Sequence, residues 1–285
     1  VVGCLLALAW PGVAAAEPAQ DTDAAPPPAA PAPRPAAYPH RFYVRAGGAL
    51  VKPMSSSREM ELADVEGTAS LAVTNGPIAG SGATVSSATI PAVTVGYVLP
   101  TESRRWSLET VLGLPFTVKF QATGTLADMS IAPTALGIPT GVGPLGSELG
   151  EAKAAPLVLT TVYQLHDGSG VIRPYLGGGA SVLFAYGARV TNPTLTEVNQ
   201  PEMSIAPAPG LVLQGGLEAR LWQSVYARVD VKFIALMMAR AEVRHVEVKT
   251  PGLPLVDNVE VGTAKMNVWV NPLIVQAGIG FDFDL

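Results

Sequence analysis

From residue 41 onward, hydrophobic and polar positions alternate with a period of two. That is the repeat of a strand whose two faces meet different surroundings. The alternation predicts eight strands, at about 41–52, 88–99, 105–120, 152–165, 171–187, 208–220, 224–248 and 260–284. In the last strand Lys265, Asn267, Trp269, Asn271, Leu273, Val275, Ala277, Ile279, Phe281 and Phe283 share one face, fully apolar from Leu273 onward. Pro272, Ile274, Gln276, Gly278, Gly280, Asp282 and Asp284 share the other. In the seventh strand Val225, Ala227, Val229, Val231, Phe233 and Ala235 oppose Tyr226, Arg228, Asp230 and Lys232. The sixth sets Leu211, Leu213 and Leu217 against Gln214, Glu218 and Arg220, and the third sets Trp106, Leu108 and Leu112 against Ser107 and Glu109. An exposed apolar stripe of this kind needs lipid or a second sheet against it.

The connections decide between lipid and a second sheet. Three are short, at Pro100–Arg104, His166–Gly170 and Leu221–Gln223, and four are long, at 53–87, 121–151, 188–207 and 249–259. Short and long connections alternate in barrels that span an outer membrane, with tight turns inside and long loops outside. The predicted fold is therefore all-β, an eight-stranded antiparallel up-and-down transmembrane β-barrel with short periplasmic turns and long extracellular loops.

Composition agrees. Hydrophobic residues make up 48% and charged residues 14% of the 285, against about 25% charged in an average soluble domain. No run of about 18 uncharged apolar residues marks a helical span. A formal charge of -5, with no Lys/Arg cluster, argues against a nucleic-acid partner. A single cysteine, Cys4, excludes an internal disulfide framework. Three histidines, His40, His166 and His245, leave little for a metal site, and no nucleophile, base and orienting acid come together. No catalytic residues, metal or cofactor are expected.

The first forty residues belong to no strand. Residues 1–16 (VVGCLLALAWPGVAAA) read as the hydrophobic part of a signal peptide, closing on small residues at Ala14–Ala16. Val1–Cys4 also resembles a lipidation box, although the apolar run continues past Cys4. Residues 17–40 are dominated by Pro and Ala and read as an extended periplasmic tether. The barrel then occupies 41–285.

Charged residues fall on the inward set: Arg45, Glu109, Glu218, Arg220, Arg228, Asp230, Lys232, Asp282 and Asp284. Both signs are present, and unpaired charges in a narrow lumen are costly. A salt-bridged plug near the short turns is expected. Eight strands leave an interior wide enough for side chains or one narrow ligand. Higher up, Phe233–Ala239 is apolar on both faces, one for lipid and one for a greasy interior. The loops 53–87 and 121–151 are rich in Gly, Ala, Val and Leu, less polar than solvated loops, and are expected to cap the barrel as an apolar funnel. A helical turn is expected near Thr134–Leu136.

Several segments, taken in order, resemble the outer membrane protein W (OmpW) family, which includes small alkane-uptake proteins. They are Phe42–Gly47 with Lys52–Pro53, Ala155–Leu157 with Tyr163–Leu165, Arg173–Gly179, Gly215–Glu218 with Trp222, Val229–Ile234, Asn271–Pro272 and Gly278–Phe281. The resemblance implies an eight-stranded barrel with a hydrophobic channel that passes small apolar molecules without energy input. It implies outer-membrane lipid, the outer-membrane assembly machinery and small hydrophobic solutes as partners. On that reading Leu71, Phe116, Phe184, Phe233, Leu236 and Met238 are candidate lining residues. Pro156, Pro174 and Pro272 are candidates for a weakened ladder that lets solute leave sideways, since proline gives no ladder hydrogen bond. Two other readings stay open: a closed structural or surface-interacting barrel, and a barrel enzyme such as an acyl-transferase or protease. The sequence fixes neither the solute nor the oligomeric state.

Overall fold

In the computed structural model the described residues are 40–166, 170–222, 224–253 and 256–284. The expected signal segment, and the tether up to residue 39, lie outside them. The strands that build the wall and its extension are β1 (Phe42–Lys52), β2 (Ala88–Val98), β3 (Trp106–Gly113), β4 (Phe116–Gly124), β5 (Glu148–Gln164) and β6 (Ile172–Val190). They continue with β7 (Ala208–Arg220), β8 (Val225–Ala235), β9 (Met238–Arg244), β10 (Thr263–Trp269) and β11 (Leu273–Phe283).

Every wall pairing is antiparallel. The ladder runs from β11 through β1, β2, β3, β5, β6, β7 and β8 and returns to β11, so the sheet closes. With β4 continuing the line of β3, this makes eight staves and leaves no open edge around the lower barrel. No described helix is long and apolar enough to cross a membrane; the strands do the crossing.

Alternation sets the two faces. Leu108, Leu112, Leu157, Leu159, Leu176, Leu213, Leu217, Val229 and Ile279 are exposed on the outer wall, while Glu109, Arg173, Tyr175, Glu218, Arg228 and Lys232 are buried within. Aromatic side chains gather at the turn end of the wall. Phe42 lies 5.2 Å from Tyr97 and 5.9 Å from Phe283, and Trp106 lies 4.8 Å from Tyr163, between ring centroids. Such a girdle suits the polar–apolar boundary of a bilayer.

Large inward side chains need space, and glycines on neighbouring strands supply it. A Cβ at Gly96 would stand 2.0 Å from the Tyr43 ring, and one at Gly280 would stand 2.2 Å from the Tyr226 ring. Gly48, in contrast, faces open space.

Three staves are interrupted where the sequence predicts unbroken strands. The third breaks at Leu114–Pro115, the seventh at Leu236 and the eighth between Trp269 and Leu273. Leu236 and Asn271 have φ of 60° and 32°, the left-handed region that a regular strand does not use. Above these breaks β9 and β10 pair with each other, Met238 opposite Trp269. Together with the short strands 202–205, 61–63, 76–77 and 56–57 they form a six-stranded extracellular sheet. The long loops are therefore folded structure, closed over the barrel. The helical turn expected at Thr134–Leu136 is instead a small hairpin, 134–135 against 138–139. Its turn residues Leu136 and Gly137 both have positive φ, 50° and 81°, the geometry of a tight hairpin turn. Helical turns lie at Gly67–Leu71, Thr125–Asp128 and Pro193–Thr196.

Gly96→Val and Gly280→Val should each abolish the folded, heat-modifiable band on gel electrophoresis, whereas Gly48→Val should keep it. Retention of that band in all three variants would show that the glycines are not needed as ring seats.

Candidate functional site

The lower half of the lumen is filled by an ion-pair network built on Glu109 of β3. Its Oε1 lies 2.8 Å from Arg45 Nη2 on β1 and 2.7 Å from Arg228 Nη1 on β8. The Tyr43 hydroxyl donates to the same oxygen at 2.6 Å. Arg228 Nη2 and Gln214 Nε2 donate to Oε2 at 3.2 and 3.1 Å. The Arg228 guanidinium also lies over the Tyr175 ring, 3.6 Å from its centroid, and bonds the Tyr175 hydroxyl.

Around this centre each remaining charge has a partner. Glu218 pairs with Arg173 and receives Gln164 Nε2 at 3.5 Å. Asp282 pairs with Arg220 at 2.9 Å, close to the short turns. Lys232 pairs with Asp230 and donates to Gln276 Oε1 at 3.1 Å, and Gln276 in turn donates to Thr94 Oγ1 at 3.2 Å. Removing Arg173, Glu218, Asp230 or Lys232 would strand a charge where water does not reach, whereas Arg220 keeps partial access to solvent.

The structure thus brings together Arg45, Glu109, Glu218, Arg220, Arg228, Asp230, Lys232 and Asp282. It leaves out Asp284, which lies beyond the end of β11, half exposed, 2.9 Å from His40 Nδ1. Alternation alone extends the inward set past the point where the strand stops. The hydrogen bond with His40, and then the one from the Arg41 backbone N–H, hold the Asp284 carboxyl below the usual carboxylate range. Arg173, Tyr43, Tyr175, Gln214 and Gln276 also belong to the network, Tyr226 is buried against Tyr43 beside it, and the same alternation places each of them inward.

Above the charges the interior turns apolar. A cavity of about 70 Å³ is lined by Val51, Phe116, Pro156, Leu183, Ile234 and Met237, among others. A second, of about 40 Å³, lies among Met60, Leu149, Met203, Val243, Val261 and Met266. A third, of about 60 Å³, lies among Leu71, Val73, Ala135, Val248, Val259 and Val261. Val261 lines the second and third cavities. Met203 and Ile205, on one face of a short strand, line the second and first. The three form an apolar series from the loops to the top of the charged network.

The wall beside the first cavity is discontinuous. Pairing between β2 and β3 ends at Ala92 opposite Gly113. Beyond it β4 pairs on that side with the segment 81–85, not with β2. Ser86 holds this arrangement: its N–H donates to the Lys119 carbonyl at 3.0 Å and its Oγ accepts the Lys119 N–H at 3.0 Å. Ala88–Pro91 therefore pair with β1 only. Pro91 and Pro115, neither with an N–H to donate, stand on the two sides of the gap. Val85, Ser86, Phe116 and Val118, which line the cavity, flank it.

The candidate lining residues are spread widely. Phe116 faces the first cavity, and Leu71 lines the outermost one while staying half exposed. Phe184 is exposed on the outer wall. Phe233 follows the outward set of β8, beside Val231. Leu236 is exposed, and Met238 is half-buried opposite Trp269. The interruption at Leu236 adds one residue to the alternation, so Met237 and Ala239 turn inward and line the cavity where a regular strand would place Leu236 and Met238. Of the three prolines, Pro174 sits within a continuous ladder, opposite Leu217; Pro156 is opposite Leu183 in the β6 ladder, but on its other side pairing lapses between Ala154, opposite Phe116, and Leu157, opposite Leu112, so it lies at the junction of β3 and β4. Pro272 lies at the interruption below β10 and, like Pro156, lines the first cavity. The gap itself forms at Pro91 and Pro115, which the sequence reading passed over. Among the described residues no group of three His, Cys, Asp or Glu side chains is placed to hold a metal ion.

A closed eight-stranded barrel, apolar outside, ringed by aromatics and plugged by ion pairs, is an integral outer membrane protein of a Gram-negative bacterium. The chain belongs to the OmpW family, whose profile matches residues 41–283. The crystal structure of the outer membrane protein OprG from Pseudomonas aeruginosa superposes with a TM-score of 0.65 at 20% identity, covering 88% of this chain and 99% of that one. The solid-state NMR structure of outer membrane protein AlkL in DMPC bilayers gives 0.48 at 18% identity, over 88% and 93%. The solution structure of Escherichia coli outer membrane protein W gives 0.43 at 17% identity, over 86% and 99%. A search of curated protein sequences gave no match.

Glu109→Gln should destabilise the barrel by about 3–5 kcal/mol, read as a lower unfolding temperature; an unchanged temperature would remove the network as a structural plug. For Asp284 the depressed carboxyl value means that its contact with His40 stabilises the fold above the unfolded carboxyl value and is lost as pH falls through the folded one. Asp284→Asn should lower the unfolding temperature slightly at neutral pH, leave it unchanged in acid where the contact is already lost, and so flatten the acid limb of the curve.

Proposed function

We propose that this barrel passes small hydrophobic molecules passively across the outer membrane and releases them sideways into the bilayer. The observation that supports this reading is the combination of an apolar cavity series, a charged floor and a side gap. A greasy solute entering from the loops gains apolar contact at each cavity. It cannot continue down the axis without separating ion pairs from one another. The gap between β2 and β4 offers it lipid instead, past Phe116. The cavities are small, but methionines line two of them (Met60, Met203 and Met266 above, Met237 below). Thioether side chains are unbranched and adapt to a passing shape. No energy source is needed, because the solute moves toward a medium it prefers.

Liposomes carrying the full chain should take up a small apolar fluorophore faster than protein-free liposomes. Ala154→Phe and Ala239→Phe, which fill the lowest cavity, should bring the rate back toward the protein-free value while the barrel stays folded. Equal rates with and without the wild-type protein would rule the transport reading out.

A further inference from the structure

On the outer wall of β4, β5 and β6, three cations stand around one carboxylate. Lys119 on β4 is opposite Glu151 on β5, and Glu151 is opposite Arg189 on β6. One outward step lower, Thr117, Lys153 and Tyr186 form a second row across the same three strands. Arg189 gives its Nε and Nη2 to Glu151 Oε1, which leaves Nη1 for another acceptor on a side chain that is 68% exposed. Lys119 and Lys153 are exposed, and among the described residues neither ammonium has a carboxylate partner. The next carboxylate up, Glu148, is turned to the Thr191 hydroxyl at 2.9 Å.

Simple alternation does not put Arg189 there. Leu183 and Ala185 line the lowest cavity, so an unbroken strand would turn Gly187 and Arg189 inward as well. A bulge prevents it. Between the pairs Lys153–Tyr186 and Glu151–Arg189 there is one residue on β5 but two on β6. Gly187, in that interval, has φ 58°, which glycine adopts without strain. The extra residue sends Val190 into the second cavity and Arg189 out beside Glu151, the re-aiming that bulges perform. On the wall it leaves a hollow of about 280 Å³ between Thr117, Glu151, Lys153, Gly187 and Arg189.

The height of the patch identifies what meets it. From Tyr163 in the aromatic girdle to Lys153 is ten residues of β5. That is about 33 Å along the strand and about 25 Å along the membrane normal at the usual tilt, the height of the apolar band of such barrels. Between the two, Leu157 and Leu159 are exposed to lipid, with Phe184 on β6 one outward step below Tyr186. The cations therefore lie at the surface of the outer leaflet, where the lipid of a Gram-negative bacterium is a phosphorylated glycolipid. We propose that Lys119, Lys153 and Arg189 bind a phosphate of that lipid, lipid A, while its acyl chains lie down the wall over Phe184 and Leu157. Diagonal neighbours on adjacent strands have Cβ atoms about 7–8 Å apart. The long stems of Lys119 and Arg189 can thus reach in from either side of Lys153 onto one phosphate. Three cations less the Glu151 carboxylate leave two positive charges, which match the nearly two negative charges of a phosphate monoester. The site lies outside the barrel and owes nothing to the transport reading.

The test titrates the full chain in detergent micelles with purified lipid A and with the same lipid stripped of its phosphates, and counts bound lipid by native mass spectrometry. The wild-type protein should prefer the phosphorylated form by roughly thirtyfold or more, at about fivefold for each lysine near a membrane surface. Lys119→Gln with Lys153→Gln should remove that factor, and Lys119→Arg with Lys153→Arg should keep it. Lys52→Gln with Arg240→Gln takes the same charge from exposed positions elsewhere and should leave binding unchanged. All of these side chains are exposed, and the folded band on gels checks each variant. Equal binding of the two lipids by the wild type would overturn the site. So would a loss in the Lys52 and Arg240 variant as large as in the Lys119 and Lys153 variant. Inorganic phosphate that competes as well as lipid A at equal concentration would overturn it too, by making the patch a site for a free anion.

Discussion

Glu109 and the two arginines it holds are the interaction on which the architecture depends. Eight staves close into a ring too narrow to hydrate charged groups freely, yet the lower interior carries five cations and four carboxylates. They are tolerable there only because each is paired, most of them across strands. Arg45 comes from β1, Glu109 from β3, Gln214 from β7 and Arg228 from β8, so one carboxylate ties together staves on opposite sides of the ring. Tyr43, Tyr175 and Tyr226 fill the remaining space, made possible by Gly96, Gly216 and Gly280 on neighbouring strands. A floor built this way seals the axis, and everything above it inherits that constraint.

The lower barrel was legible in the sequence because a single rule governs it. With a period of two, lipid on one side and ion pairs on the other, Glu218, Arg228, Asp230 and Lys232 declare their face by parity alone. The rule fails where the backbone leaves the strand region. Leu236 is an ordinary apolar residue in an apolar run, and nothing in its chemistry announces a left-handed conformation. The sequence therefore offered Leu236 and Met238 for the interior where the structure turns in Met237 and Ala239. Likewise the gap arises at Pro91 and Pro115, because what matters is which ladder a proline terminates. Pro174 sits in a ladder that other residues keep intact, whereas Pro156 lies where β5 passes from β4 to β3, next to that break.

The loops illustrate a different limit. Their apolar composition signalled that they pack against something, but pairing between distant segments carries no local signature. Strands at 61–63, 202–205, 238–244 and 263–269 meet only in the folded molecule. They carry the hydrophobic interior past the wall of the barrel, so that the cavities above the lowest one are built from loop residues such as Leu62, Val246 and Val261.

The extra residue at Leu236 acts as a phase switch between two halves of one continuous chain. Below it the rotation of the side chains is fixed by the ring and its ion pairs; above it the count restarts. A lineage that gained or lost one residue there would exchange the inner and outer surfaces of β9 wholesale, presenting Met238 and Arg240 inward, without disturbing a single pairing below. The upper conduit can therefore be re-lined by evolution in one step, independently of the scaffold that anchors it.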